Sequence, residues 1–320
     1  MHVRQDLSRL HWRSGPPLLN PSANGLQNVV ALKDPSIVRF AGRWHVYVTT
    51  VAAGGVYGMA YVSFADFEEA GAASFYSMRR TPGFDRYVAA PQLFYFTPQK
   101  KWYLVFQSGP PMYSTNDSPS EPGRWTPPAP FFESTPAGID ESGGWLDFWV
   151  IADATHCHLF FSNDHGRWYK SKTRVEDFPH GFSAPVVVLE DSEAGRLYEA
   201  CCVYSVAGTG QYLALIEAFD QGSEQRRYFR SFTAGSLEGP WQSLHDAADA
   251  PFAGLANTSF DGAAWSADIS HGELVRSGCD ETLSVELGDL RYLYQGCDPS
   301  VDTRDYNAIP WKLALLTRRP

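Results

Sequence analysis

Short runs rich in β-branched and aromatic residues recur along the whole chain, each bounded by Gly, Pro, Asn or Asp. IVRF is followed by WHVYVTT, QLFYF by WYLVFQS, FWVIAD by HLFFS and WYKSK, YEACCVYSV by YLALIEAF and YFRSFTA, and ELVR by LSVEL and RYLYQG. Helical periodicity is almost absent, so the pattern predicts an all-β chain. The runs fall into groups whose first strands begin near Asp34, Ala90, Asp147, Glu199 and Asp268, at intervals of 56, 57, 52 and 69 residues. Groups of three or four strands repeated around an axis predict a β-propeller, and five groups predict five blades. A β-sandwich also uses many short strands and turns, but it explains one local feature less well.

That feature is Lys33-Asp34-Pro35, two charges and a residue without an N–H, placed where a strand enters a hydrophobic sheet. In a propeller the innermost strand of every blade borders the central channel. Polar residues at the starts of the first strands then converge although they are far apart in sequence. Asp34 and Pro35 lie at a channel mouth in this reading, where the proline needs no ladder partner.

Composition sharpens the picture. The 320 residues include 10 Trp, 16 Tyr and 20 Phe, while 27 Gly and 22 Pro are spread as turn punctuation and never gather into a linker. One β domain over residues 1–320 is expected, with residues 1–20 as an N-terminal extension packed on the propeller. The net charge of −10 is spread through loops without a Lys/Arg cluster, which gives nucleic-acid binding little electrostatic support. No apolar run is long enough to cross a bilayer, and the first 30 residues lack the apolar core of a secretory leader. A cytoplasmic protein, or one from which a leader has been removed, is the reading of that absence.

Cys157, Cys201 and Cys202 lie in apolar strand-like runs and are read as buried thiols. Cys279 and Cys297 flank ETLSVELGDLRYLYQG. If this segment is a hairpin turning at Gly288-Asp289, a cross-strand disulfide between them is open.

Three of the five inferred blade starts carry an acid in an apolar setting: Asp34, Asp147 beside Phe148 and Trp149, and Glu199 between Tyr198 and Ala200. Aromatic neighbours would desolvate these groups and mutual repulsion would drive their pKa values apart, which is how acid and base roles are separated. Glycoside hydrolysis needs such a pair, one carboxyl protonated to serve the leaving oxygen and one carboxylate ionised. Each acid also has an ordinary reading. An Asp before Pro is commonly a turn residue, and Asp147 could be a cap or a buried acceptor. Glu199 is harder to dismiss, since Glu is unfavourable in an apolar strand and acids are seldom buried without a reason.

A second polar cluster, DISHGELVR, holds Asp268, Ser270, His271 and Glu273 at the fifth blade start. A channel-facing His271 could ligate a metal, although imidazole suits transition metals and calcium prefers oxygen. It could equally be a satisfied hydrogen-bonding residue. Trp149 and Tyr306 are candidates for stacking on sugar faces, with a core position the alternative for Trp149. No glycine-rich phosphate loop, HExxH, paired CxxC or GxSxG elbow occurs.

The motifs ALKDPS, APQLFYF, YSTNDSPSEPGRW, DFWVIAD, LYEA, RYFRSFTAGSLEGPW, PFAGLAN, DISHGEL, LYQG and YNAIPW, in this order and spacing, resemble the α-L-arabinofuranosidases of glycoside hydrolase family sixty-two. That family is a five-bladed propeller in a clan shared with family forty-three. The likeness runs from about Trp12 to Thr317. It implies an inverting single displacement that releases arabinofuranose from arabinoxylan, or from arabinan, with Asp34 as general base and Glu199 as general acid. Asp147 is implied as the third acid, which orients the general acid and tunes it. Lys33 and Gln92 are implied as arabinose-pocket residues, Tyr306 and Asn307 as contacts to the xylan chain, and His271 as the residue beside a structural calcium-type ion in the channel. No organic cofactor, no membrane and a secreted monomer are further expectations. The two cysteines in ACCVYSV depart from the family pattern. A family forty-three glycosidase acting on xylosides or arabinan, and a carbohydrate-binding propeller without catalysis, are the alternatives.

Overall fold

The computed structural model describes residues 3–22, 25–137, 139, 144–219, 226–301 and 305–319. Five sheets, antiparallel apart from two short parallel pairings, are formed by the described residues. Blade I comprises Val29–Phe40, Arg43–Ala52, Val56–Phe64 and Tyr76–Ser77, and blade II comprises Ala89–Phe96, Lys101–Gln107, Pro111–Asn116 and Ala129–Pro130. Blade III comprises Leu146–Ala152, His156–Ser162, Arg167–Arg174 and Val186–Glu190. Blade IV is built from Cys202–Val206, Gln211–Phe219, Arg227–Ala234 and Gln242–His245. Inner strands touch in the order V–I–II–III–IV, and blade IV meets blade V to complete the ring. The five-bladed propeller read from the strand groups is the fold observed.

Blade V differs from its expected composition. Its inner strand Ser270–Leu274 pairs with Arg291–Gly296, which pairs with Lys312–Arg318, and the next strand is Trp12–Ser14 from the other end of the chain. Both chain ends therefore share one sheet. The segment read as a hairpin is not one: Ser284–Val285 pairs in parallel with the inner strand of blade IV, and a short 3-10 turn, Leu287–Asp289, follows. The strand expected to start near Glu199 starts at Cys202. All five cysteines are free. Cys279 packs with the apolar cluster between blades I and II, whereas Cys297 packs with Trp311 and Ile309, so the disulfide left open by the sequence is not formed.

Burial explains why the strand runs read as continuously apolar. The second strands of blades II and III are buried almost throughout, because each face is covered by a neighbouring blade, whereas the outermost strand of blade III, Val186–Glu190, is largely exposed. Trp12, Trp102, Trp168 and Trp311 are all fully enclosed. An aromatic side chain removes ~150–250 Å² from water, roughly 4–6 kcal/mol each before ordering entropy is subtracted. Polar pins register the hub. Ser36 and the Ile37 N–H donate to Glu273 at 2.7 and 2.9 Å, joining blades I and V, and the Leu93 N–H donates to Ser36 at 2.9 Å, joining blade II. Among the described residues no helix is long and apolar enough to cross a membrane.

Candidate active site

The inner strands of four blades share one backbone device, at the strand start in blades II and III, just before it in blade IV, and midway along Val29–Phe40 in blade I, whose strand begins ahead of the start expected near Asp34. Asp34, Ala90, Asp147 and Ala200 have φ of 47°, 50°, 57° and 55°, left-handed values uncommon outside glycine. Pairing registers skip at Lys33/Ser36, Ala89/Gln92 and Leu146/Trp149, so each of these inner strands carries a bulge. A bulge bends its strand and re-aims a side chain. Here it turns Asp34 and Asp147 into the channel mouth and leaves Pro35 outside the ladder, which answers how a proline is tolerated there. Blade V bulges at His271, where the next residue must be glycine: a Cβ on Gly272 would lie 2.1 Å from the Leu293 carbonyl oxygen.

These bulges surround a cavity of about 260 Å³ lined by Lys33, Asp34, Tyr57, Tyr87, Ala89, Gln107, Leu146, Asp147, Glu199, His271 and Tyr306. Sites for small molecules commonly span ~300–1,000 Å³, so this one admits a single small residue. It adjoins two larger hollows through different walls. One, about 490 Å³, shares Glu199 and Tyr306 and adds Asp164, Arg226, Arg227 and Asp268. The other, about 570 Å³, shares Tyr87, Gln107 and Leu146 and adds Phe132 and Trp145.

Within the cavity, charges alternate. His271 Nδ1 lies 3.1 Å from Asp34 Oδ1 and 3.7 Å from Asp147 Oδ2, and Lys33 Nζ lies 3.9 Å from Asp34. Burial alone would raise Asp34, but Lys33 and His271 outweigh it and hold the carboxyl well below the usual carboxylate range. Burial pushes Asp147 up to about 7, with His271 opposing and the charges of Glu199 and Asp34 adding to the rise. His271 itself would be lowered by burial, yet Asp147 and Asp34 carry it up to about 9. Two carboxyls in one pocket are thus driven apart, one ionised and one able to hold a proton near neutrality.

Glu199 sits where the small cavity meets the 490 Å³ hollow. Arg227 Nη1 donates to its Oε1 and also to Oε1 of Glu217. The guanidinium is enclosed by rings, its Cζ 4.8 Å from the Phe219 centroid, 5.5 Å from Tyr306 and 5.6 Å from Tyr198. Tyr306 also faces Lys33, whose Nζ is 4.6 Å from its ring.

The sequence profile of glycosyl hydrolase family 62 matches residues 11–317. The chain belongs to that family. It is 41% identical over 310 residues to α-L-arabinofuranosidase C of Cellvibrio japonicus (strain Ueda107), covering 96% of this chain and 47% of the relative, so it spans about half that protein's length. The catalytic domain of a family 62 α-L-arabinofuranosidase of Coprinopsis cinerea superposes with a TM-score of 0.93 at 47% identity, covering 97% of this chain and 98% of the other. A family 62 hydrolase solved in complex with xylotriose superposes at 0.92 with 42% identity, over 97% and 98%.

In this family 62 chain, six of the nine site residues named from the sequence line the small cavity: Lys33, Asp34, Asp147, Glu199, His271 and Tyr306. Asn307 is exposed at the rim, where Tyr57 donates to its Oδ1 at 3.0 Å. Gln92 is not a pocket residue. It is fully buried, its amide donating to the Val150 carbonyl at 2.8 Å and accepting from the Val150 N–H at 2.7 Å, so both ends are spent joining blades II and III. Trp149 is not a stacking platform either: its indole N–H donates to the Val203 carbonyl at 2.8 Å and its ring meets Tyr204 edge-on, between blades III and IV. The sequence reading missed Tyr57, Tyr87, Gln107, Glu217 and Arg227. Glu217 carried a usable signal, an acid between Ile216 and Ala218 in an apolar run, the same anomaly that singled out Glu199.

Proposed function

We propose that this protein is an inverting α-L-arabinofuranosidase that removes single arabinofuranosyl side groups from arabinoxylan. The observation that carries the reading is the meeting of Asp34, Asp147 and Glu199, from three blades, in one cavity sized for a single small residue. Asp34, held ionised by Lys33 and His271, has the charge state needed to take a proton from the attacking water. Glu199 donates a proton to the departing oxygen, and its place at the border of pocket and groove suits a bond between a side group and a chain lying outside. Asp147 accepts the Ala200 N–H at 2.6 Å, which fixes the backbone beside Glu199. The name of the Cellvibrio relative and the xylotriose bound to another relative support the activity and a xylan-type backbone. A polymeric substrate calls for action outside the cell, in keeping with secretion.

A calcium-type ion beside His271 belongs to the same proposal, but the side chains of the described residues form no site for it. Among the described residues no group of three His, Cys, Asp or Glu side chains could hold a metal. The nearby carboxylates are matched to cations already, Asp34 to Lys33 and Glu217 to Arg227. Such an ion would draw its oxygen ligands from water, and no step of the reaction runs through it.

The test is arabinose release from wheat arabinoxylan, followed by NMR. The reading expects free arabinose, the β-anomer appearing first from the α-linked substrate, and a loss of about a hundredfold or more in Glu199→Ala. Xylose or oligosaccharides as products, or undiminished release by Glu199→Ala, would overturn it.

A further inference from the structure

Glu217 does not line the cavity, yet it holds the segment that carries Glu199. Its backbone N–H donates to the Glu199 carbonyl at 2.9 Å, and its own carbonyl accepts the Tyr198 N–H at 3.0 Å, so the segment carrying Glu199 is clamped to the second strand of blade IV. Its side chain has no exposure and spends both oxygens. Oε1 accepts from Arg227 Nη1, the same nitrogen that serves Glu199, while Oε2 accepts the His271 N–H at 2.7 Å and the Ser270 hydroxyl at 3.1 Å. Glu217 therefore connects Glu199 on blade IV to His271 on blade V, and His271 contacts Asp34 and Asp147.

The chemistry needs such a residue. An arginine cannot give up its proton, so a permanent charge lies against the Glu199 carboxyl. A second buried carboxylate on the same nitrogen cancels that charge and leaves Arg227 as an orienting donor. The ring enclosure of Arg227 by Phe219, Tyr198 and Tyr306 keeps the shared geometry fixed. We propose that Glu217 is a positioning residue for the proton donor, acting through Arg227 to orient the Glu199 carboxyl and to balance the guanidinium beside it. This rests on the assignment of Glu199 as general acid.

Leaving-group dependence separates positioning from mere scaffolding. Release of a xylose hydroxyl needs a proton, whereas 4-nitrophenolate departs with little help. Glu217→Gln and Glu199→Ala are assayed in the full chain on wheat arabinoxylan and on 4-nitrophenyl α-L-arabinofuranoside. Glu217→Gln is expected to lose about tenfold or more in kcat on arabinoxylan, with KM little changed, and less than about threefold on the nitrophenyl substrate. Glu199→Ala shows the same selectivity more strongly. Equal losses on both substrates, or no loss, in Glu217→Gln overturn the proposal. Absence of the selectivity in Glu199→Ala overturns the assignment of the acid instead. If Glu217→Gln does not fold, Arg227→Lys, which keeps the charge but not the planar fork, is read by the same ratio. Failure of both to fold assigns the pair to the scaffold and overturns the proposal.

Discussion

The Ala200 N–H donates to Asp147 Oδ2 at 2.6 Å. One hydrogen bond thus ties the left-handed residue after Glu199 to an acid 53 positions earlier, on the preceding blade. Asp147 is in this way a backbone anchor for its neighbour as well as a charge in the pocket.

Asp147→Asn separates these two parts. The amide oxygen can still accept from Ala200, so the variant is expected to fold, but the charge beside His271 is gone. Arabinose release should fall at least about tenfold. Wild-type activity in this variant would mean that the hydrogen bond alone matters.

Stability should depend on pH through His271. Its value rises from 6.5 to about 9 on folding, so its contribution is complete below 6.5 and is lost as pH climbs through 9. Asp147, raised from 3.8 to about 7, acts in the same direction at lower pH, its contribution being lost as pH rises through 7. Thermal melting is expected to fall between pH 6.5 and 9, and His271→Gln should flatten that slope. An unchanged slope in the variant would count against the imidazole as its source.

Gln92→Ala should behave as a scaffold lesion. It strands the buried N–H and carbonyl of Val150, at a cost of roughly 2–4 kcal/mol. Melting should drop by several degrees while KM for arabinoxylan stays within about twofold. A rise in KM without loss of stability would return Gln92 to the pocket.

Tyr306 separates two cations, Lys33 and Arg227. Tyr306→Phe keeps the ring and should hold kcat/KM within about threefold, whereas Tyr306→Ala should lose about tenfold or more. Equal effects of the two would point to the hydroxyl as the working group.

The acids were legible because each broke a local rule. Asp34 precedes a proline just ahead of a β-rich run, Asp147 precedes an aromatic run, and Glu199 interrupts apolar residues. Glu217 broke the same rule inside YLALIEAF, but it lies at no blade start, and the convergence idea applied only to starts. Gln92 misled for the converse reason. It sits at a blade start, but the bulge at Ala90 and Pro91 sets its amide against Val150 of the next blade.

The class of fold, the number of blades and the meeting of three carboxylates were legible in the local pattern. Strand propensity, turn residues and polar interruptions are local, and they repeat once per blade. Long-range packing set which polar side chains face the pocket and which pin one blade to another, kept Cys279 and Cys297 apart, and brought strands from both chain ends into blade V. Those outcomes depend on contacts between residues far apart in sequence, such as Trp12 beside Arg318, 306 positions on, and a local pattern carries no information about which distant surface will cover it.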